Sequence, residues 1–121
     1  MTSKVQGWQR IRNATGYSCQ GIRQAYRHET AFRQEVWLMI AAIPLSFIVA
    51  ASIPQWLILI GSLIGVLICE LVNSAIESVV DRVGAERHPL SGQAKDMGSA
   101  AVLLSLIFAA LCWGGVILMR W

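Results

Sequence analysis

The chain is expected to be an all-α integral membrane protein with three spanning helices and an N-terminal amphipathic surface helix, on three observations. Of its 121 residues 55% are hydrophobic, yet its charges are not spread as they would be on a water-facing surface. Apart from Glu70 and Glu77 they avoid three windows, 36–53, 56–80 and 97–119, each close to the roughly 17–25 residues that one spanning helix needs. In and just beyond the middle window, Glu70, Asn73, Glu77 and Asp81 recur at helical steps, which places them within roughly 80° of one another on one face.

Residues 1–35 are polar and arginine-bearing, with no continuous apolar stretch of the kind a cleaved leader carries, so the N-terminus is expected to stay in the cytoplasm. From Trp8 the apolar positions Ile11, Ala14, Ile22, Ala25 and Tyr26 alternate with Arg10, Arg12, Gln20, Arg23 and Arg27 at near-helical spacing, the pattern of a helix lying in the interface. Gly7, Gly16 and Gly21 each cost about 1 kcal/mol in a helix interior and would divide that helix in two.

The first span carries Pro44, which removes one backbone hydrogen bond and predicts a kink. Its link to the second span is the uncharged turn Ser52-Ile53-Pro54-Gln55, short enough only for an antiparallel neighbour. In the second span Gly61 and Gly65 lie away from Glu70 and would admit a close helix neighbour. Residues 81–96 are a charged loop and the start of the third helix, with Ser91 as the expected N-cap.

Basic residues set the orientation. Lys4, Arg10, Arg12, Arg23, Arg27 and Arg33 precede the first span, Arg82, Arg87 and Lys95 separate the second and third, and only Arg120 follows, so nine of the ten positive charges share the cytoplasmic side. This confinement explains the net charge of +3 by attraction to anionic lipid headgroups, and no nucleic-acid partner is expected. Cys19, Cys69 and Cys112 are an odd number without close spacing, indicating neither a disulfide framework nor a zinc site.

The stripe carries the chemistry. An unpaired ionised side chain near the centre of a membrane helix costs roughly 3 kcal/mol on insertion scales, so two glutamates two turns apart point to function more than to interhelical glue. Along the helix axis Glu77 lies roughly 6 Å and Glu70 roughly 16 Å inward of Asp81. Glu77 can therefore meet a water-soluble ligand and Glu70 one dissolved in lipid. Glu29 and Glu35 flank the cytoplasmic entrance of the first span, and Glu29 with Glu77 could hold a hard cation such as Mg2+ together with substrate phosphates. Lys95, placed near the start of a helix where a cation is disfavoured, invites an anion such as phosphate, or else snorkels to the headgroups. No phosphate loop, soluble kinase catalytic loop or dinucleotide fingerprint is present.

The run 70–81, Glu-Leu-Val-Asn-Ser-Ala-Ile-Glu-Ser-Val-Val-Asp, resembles the signature of the bacterial diacylglycerol kinase family of small membrane enzymes. Glu29 to Glu35, containing Phe32-Arg33-Gln34-Glu35, and Ala94-Lys95-Asp96-Met97-Gly98-Ser99-Ala100-Ala101-Val102 support the resemblance in order and spacing over essentially the whole chain. It implies a multi-pass protein of the bacterial inner membrane, a homotrimer with active sites shared between protomers at the cytoplasmic interface, and Mg2+-dependent transfer of the ATP γ-phosphoryl group to diacylglycerol.

Carried over by position, the resemblance makes Glu70 the general base on the lipid hydroxyl, with Asn73 ordering the site and Glu29 and Glu77 binding the metal. It implies nucleotide contacts at Arg10, Tyr17, Glu29, Glu77, Glu86, Arg87, His88, Lys95 and Asp96. Lipid contacts would be Arg10, Ala14, Thr15, Gly16, Tyr17, Ser18, Cys19, Arg23, Gln24, Ala25, Tyr26, Ala31, Phe32, Arg33, Gln34, Glu35, Glu70 and Ser99. No serine, histidine or cysteine nucleophile is needed, so direct in-line transfer is expected. Undecaprenol kinase activity, found in the same family, is the first alternative. A small proton-coupled or multidrug transporter using Glu70 as its cation site is the second, disfavoured by the three-span count and the Lys95-Asp96 pair.

Overall fold

A computed structural model of the chain describes residues 7–84 and 88–120, and these form four helices: α1 (Trp8–His28), α2 (Thr30–Val49), α3 (Ile53–Val83) and α4 (Pro89–Arg120). Three stretches, Thr30–Val49, Ile53–Val83 and Pro89–Met119, are long and apolar enough to cross a membrane. The helices run past the apolar windows at several ends, because a polar flank stops an apolar run without stopping a helix.

α1 is one unbroken helix through Gly16 and Gly21. The sequence expectation of a division there fails because two glycine penalties of about 1 kcal/mol are small beside the ties that hold the helix at its ends. Gly7 caps its start at φ 68°, a conformation open to glycine, and its carbonyl accepts from the amides of Arg10 and Ile11. The Arg12 guanidinium lies over the Trp8 ring at 5.9 Å, one turn away. Arg27 and His28 in the last turn suit the negative end of the helix dipole.

Glu29 alone joins α1 to α2, in an extended conformation (φ −111°, ψ 109°). Its amide closes α1 on the Ala25 carbonyl at 2.8 Å, and its own carbonyl accepts from the Arg33 amide at 3.1 Å to open α2. Side chains reinforce this elbow. Arg33 Nη1 donates to the Tyr26 and Arg27 carbonyls at 2.7 and 3.2 Å, satisfying acceptors left over at the end of α1, and Trp37 Nε1 donates to the Tyr26 hydroxyl at 3.0 Å.

α2 contains Pro44 without interruption. Beside it, Trp56 Nε1 donates to Ser46 Oγ at 3.0 Å and Ser46 Oγ to the Ile43 carbonyl at 2.6 Å, a short chain of hydrogen bonds that ties α2 to α3. The α2–α3 turn is 50–52, earlier than the expected 52–55, because Ser52 caps α3. Its Oγ accepts from the Gln55 amide at 3.3 Å, while Gln55 Oε1 accepts from the Ala51 amide at 2.8 Å, a near relative of the capping box. At the other end of α3, α4 begins at Pro89, two residues before the expected Ser91 cap. His88 takes the role: its carbonyl accepts from the Gly92 amide and its Nδ1 from the Leu90 amide at 3.1 Å.

α3 is the central helix, packed most extensively on α4 and next on α2, while α1 leans on α2 and touches α3. α3 and α4 come close at Gly98, whose position leaves no room for a Cβ against the Asn73 side-chain amide. Gly61 and Gly65, expected to serve such an approach, have open space around them within the protomer. The buried positions of α3 are Leu59, Ser62, Val66 and Glu70, a stripe that continues in register through Asn73, Glu77 and Asp81. One face of α3 thus changes from apolar to acidic half-way along.

Gly98→Ala should lower the midpoint of unfolding in detergent, since the added methyl forces Asn73 or the helix to shift at a cost of about 1–3 kcal/mol. Gly92→Ala, at an open helical position, should raise it by a few tenths to 1 kcal/mol. Equal effects of the two substitutions, read by denaturation of the purified protein, would refute the tight contact.

Candidate active site

Glu70 is only 6% exposed, within the membrane-length helix α3. The charges that act on it most strongly are Glu35 of α2, then Glu77 one face-repeat along α3, then Glu29 at the elbow. Carboxylates of the elbow, α2 and α3 thus lie within range of one another's charge. Among the described residues no three His, Cys, Asp or Glu side chains converge as a closed metal cage. Mg2+ does not need one, as it takes one or two carboxylates and completes its shell with water and phosphate oxygens.

Asn73 faces α4, and its Oδ1 is buried against Gly98 without a hydrogen-bond partner in the described residues. A buried carbonyl oxygen of this kind is costly to leave unpaired, and it sits one turn from Glu70 and from Glu77. Lys95 of α4 reaches back to α3 and pairs with Asp81 Oδ1 at 2.7 Å. It lies beyond the first turn of α4, because that helix starts at Pro89, and the anion it meets is this carboxylate. Both partners are substantially exposed, so the pair is weak and exchangeable.

A cleft of about 740 Å³ separates α1 from α3, with Gln24, His28 and Glu29 on one wall and Ser74 and Ser78 on the other. It opens beside the acidic stripe, one flank of α3 away from Glu70.

The remaining expected site residues are spread out. Ser18, Gln24 and Ala25 line the cleft. Arg10, Ala14, Thr15, Gly16, Tyr17, Cys19 and Arg23 are exposed on α1, with Tyr17 roughly 18 Å along the helix from Glu29. Tyr26 and Arg33 are engaged with each other in the elbow, the guanidinium 6.0 Å from the ring centre. Phe32 is core at 2% exposure, and Ala31, Gln34, Asp96 and Ser99 are exposed. His88 is the α4 cap, and Glu86 and Arg87 fall outside the described residues.

A sequence profile described as prokaryotic diacylglycerol kinase matches residues 16–117. The chain belongs to that family. It is 45% identical to the diacylglycerol kinase of Haemophilus influenzae over 94% of this chain and 97% of that protein. It is 46% identical to the diacylglycerol kinase of Escherichia coli K12 over 93% of each chain, and 48% identical to that of Pseudomonas aeruginosa over 93% of this chain and 91% of the relative. A family member folded this way presents its acidic stripe, its elbow glutamate and its α4 lysine at one end of a three-span bundle.

Three features of the site were not singled out by sequence reasoning: Gly98 as the contact for Asn73, Asp81 as the partner of Lys95, and Trp37 as a tie of the elbow. Lys95 and Asp81 carried a usable signal, being opposite charges on two helices joined by a short loop. Trp37 carried none, since an interfacial tryptophan is ordinary.

The Trp37–Tyr26 bond should act as a unit with the elbow. Trp37→Phe and Tyr26→Phe each remove one partner and keep the ring, and a double-mutant cycle on unfolding in micelles should show a coupling of about 1 kcal/mol. Additive effects would dissolve the bond.

Proposed function

We propose that the chain is an ATP-dependent lipid kinase that converts diacylglycerol to phosphatidic acid at the cytoplasmic face of the bacterial inner membrane. The observation that carries the proposal is Glu70, enclosed in a membrane-spanning helix and flanked by Glu35, Glu77 and Glu29, in a chain of the diacylglycerol kinase family. A carboxylate in that position serves as base to a hydroxyl that arrives from the lipid, and its neighbours nearer the interface serve the phosphates.

In this mechanism Glu70 accepts the proton of the lipid hydroxyl as its oxygen attacks the γ-phosphorus of ATP in line, and ADP leaves. Glu29 and Glu77 would hold Mg2+, which would supply charge neutralisation on the phosphate oxygens. Asn73 Oδ1, unpaired against Gly98, has an acceptor to offer a donor of the substrate complex or an ordered water. Lys95 exchanges Asp81 for phosphate, an exchange favoured by the exposure of the pair. His88 has its Nδ1 committed to Leu90, so only its other ring nitrogen is open to nucleotide.

The assembly proposed is a homotrimer with the N-terminus inside. Outward-facing apolar residues throughout α2, α3 and α4, and the open approach at Gly61 and Gly65, are compatible with further helix neighbours.

Purified protein in mixed micelles, given ATP and Mg2+ with diacylglycerol or undecaprenol, should phosphorylate diacylglycerol preferentially. Product from undecaprenol alone would move the chain to the polyprenol branch, and product from neither would end the kinase reading. Glu70→Gln keeps the shape of the side chain and should lower turnover by roughly 10²-fold or more at saturating substrates. Glu29→Gln and Glu77→Gln should each raise the Mg2+ concentration for half-maximal activity, and an unchanged Mg2+ dependence in both would remove them from the metal.

A further inference from the structure

Lys95 has two carboxylates of α3 in range and pairs with one of them. Its Nζ meets Asp81 Oδ1 at 2.7 Å, the only ion pair among the described residues. The Glu77 carboxylate, one turn earlier on the same face of α3, has no hydrogen-bond or ion-pair partner among those residues, yet after Asp81 it is the carboxylate whose charge acts on the ammonium. The lysine is therefore held by the acid to which no chemistry has been assigned and kept from the acid that the proposed mechanism needs.

The register of the two helices gives this choice its meaning. Asn73 lies against Gly98 and Asp81 against Lys95, so α3 and α4 run in opposite directions. With Asn73 level with Gly98, the Lys95 backbone is about 4.5 Å nearer the α3–α4 connection, at the height of Ile76 and Glu77, and the Asp81 backbone lies about 7 Å further toward that connection. Side chains lean toward the start of their own helix, which carries the lysine outward, but its flexible four-carbon stem can serve either acid. An ammonium on Glu77 would occupy the oxygens that a metal ion takes and would repel the ion as well. Paired with Asp81, it leaves those oxygens open and stays about one turn away, and because water reaches both partners a phosphate can displace the carboxylate.

We infer that Asp81 is a positioning residue that holds Lys95 off Glu77, so that the metal-binding carboxylate stays open until nucleotide arrives and takes the lysine over. The inference rests on the reading of Glu77 as a metal ligand and adds to it a residue that acts only through the lysine. Asp81 itself touches neither substrate nor metal.

The test uses two readouts on the full-length protein in micelles. The first is independent of turnover: a water-soluble carbodiimide joins a lysine to the carboxylate it pairs with, and peptide mass spectrometry locates the bond. Without nucleotide the parent should give a 95–81 cross-link, and Asp81→Asn should give a 95–77 cross-link in its place. The second is the Mg2+ concentration for half-maximal activity. An exposed ion pair biases its partners by roughly 2- to 5-fold, so Asp81→Asn should raise that concentration by about this factor, and saturating Mg2+ should restore its turnover. Asp81→Glu keeps the anion and should keep the Mg2+ requirement of the parent. A raised requirement without the 95–77 cross-link would mean that Asp81 acts on the metal by its charge alone and would overturn the inference. A lowered midpoint of unfolding with an unchanged requirement would overturn it too, making Asp81 a tie between helices. If the cross-link moves to Glu77 in a protein that phosphorylates neither lipid, the kinase reading falls and the hold of Asp81 on the lysine stands; an active enzyme whose cross-link does not move overturns the inference alone.

Discussion

A carboxylate carried into the span of a bilayer has to be kept from the hydrocarbon, and the arrangement of this molecule follows from enclosing Glu70. Four of the buried positions of α3 share one face, from Leu59 to Glu70, so the helix turns its acid to the same side as its core. That side is covered by α4 and α2, and α3 packs on both. The close approach that covers it is set at Gly98, where a larger residue would meet Asn73. The elbow at Glu29 then brings α1 over the remaining flank, so that the cleft and the acids open at the same end of the bundle.

The elbow is what couples the surface helix to the spans. A single residue joins α1 to α2, and without further restraint one extended residue would leave the angle between them soft. Arg33 and Trp37, both of α2, donate to the last turn of α1 through two carbonyls and a phenol oxygen. Since the pivot is Glu29, every degree of freedom removed from the elbow is removed from a carboxylate that the proposed mechanism uses. This also explains why the Arg33 guanidinium is directed at main-chain carbonyls of α1 and the Tyr26 hydroxyl at Trp37.

The three spans, the surface helix and the acidic stripe were legible in the sequence because each is a periodicity. An apolar window has a length, and residues at steps of three and four share a face whatever surrounds them. What was not legible depends on register between helices. Gly61 and Gly65 show the small-residue spacing that sequence reasoning associates with close packing, yet within the protomer the contact falls at Gly98, because the helix opposite carries Asn73 at that height. Lys95 was placed in a first turn because Ser91 is a good cap by type, whereas the cap is His88 before Pro89, whose ring nitrogen accepts from the Leu90 amide. Gly16 and Gly21 failed to break α1 because propensity is a weak prior beside tertiary restraint. For the candidate site, the acids came from pattern and their mutual proximity from the fold; the roles assigned to them stand on the family likeness and the chemistry together.

In the proposed mechanism Glu70 and Lys95 have opposite tasks, and their environments suit them. Glu70 is enclosed, among other carboxylates, where every interaction acts at lower dielectric and a proton acceptor is held in one place. Lys95 is paired where water reaches both partners, so its bond to Asp81 is readily given up. A group that must stay in position through each turnover belongs in the first setting. A group that must release one anion to take another, and then release that one as well, belongs in the second. The division between the inner acid and the outer lysine is the one that phosphoryl transfer from a soluble nucleotide to a membrane-dissolved alcohol requires: rigid on the lipid side, exchangeable on the side that faces water.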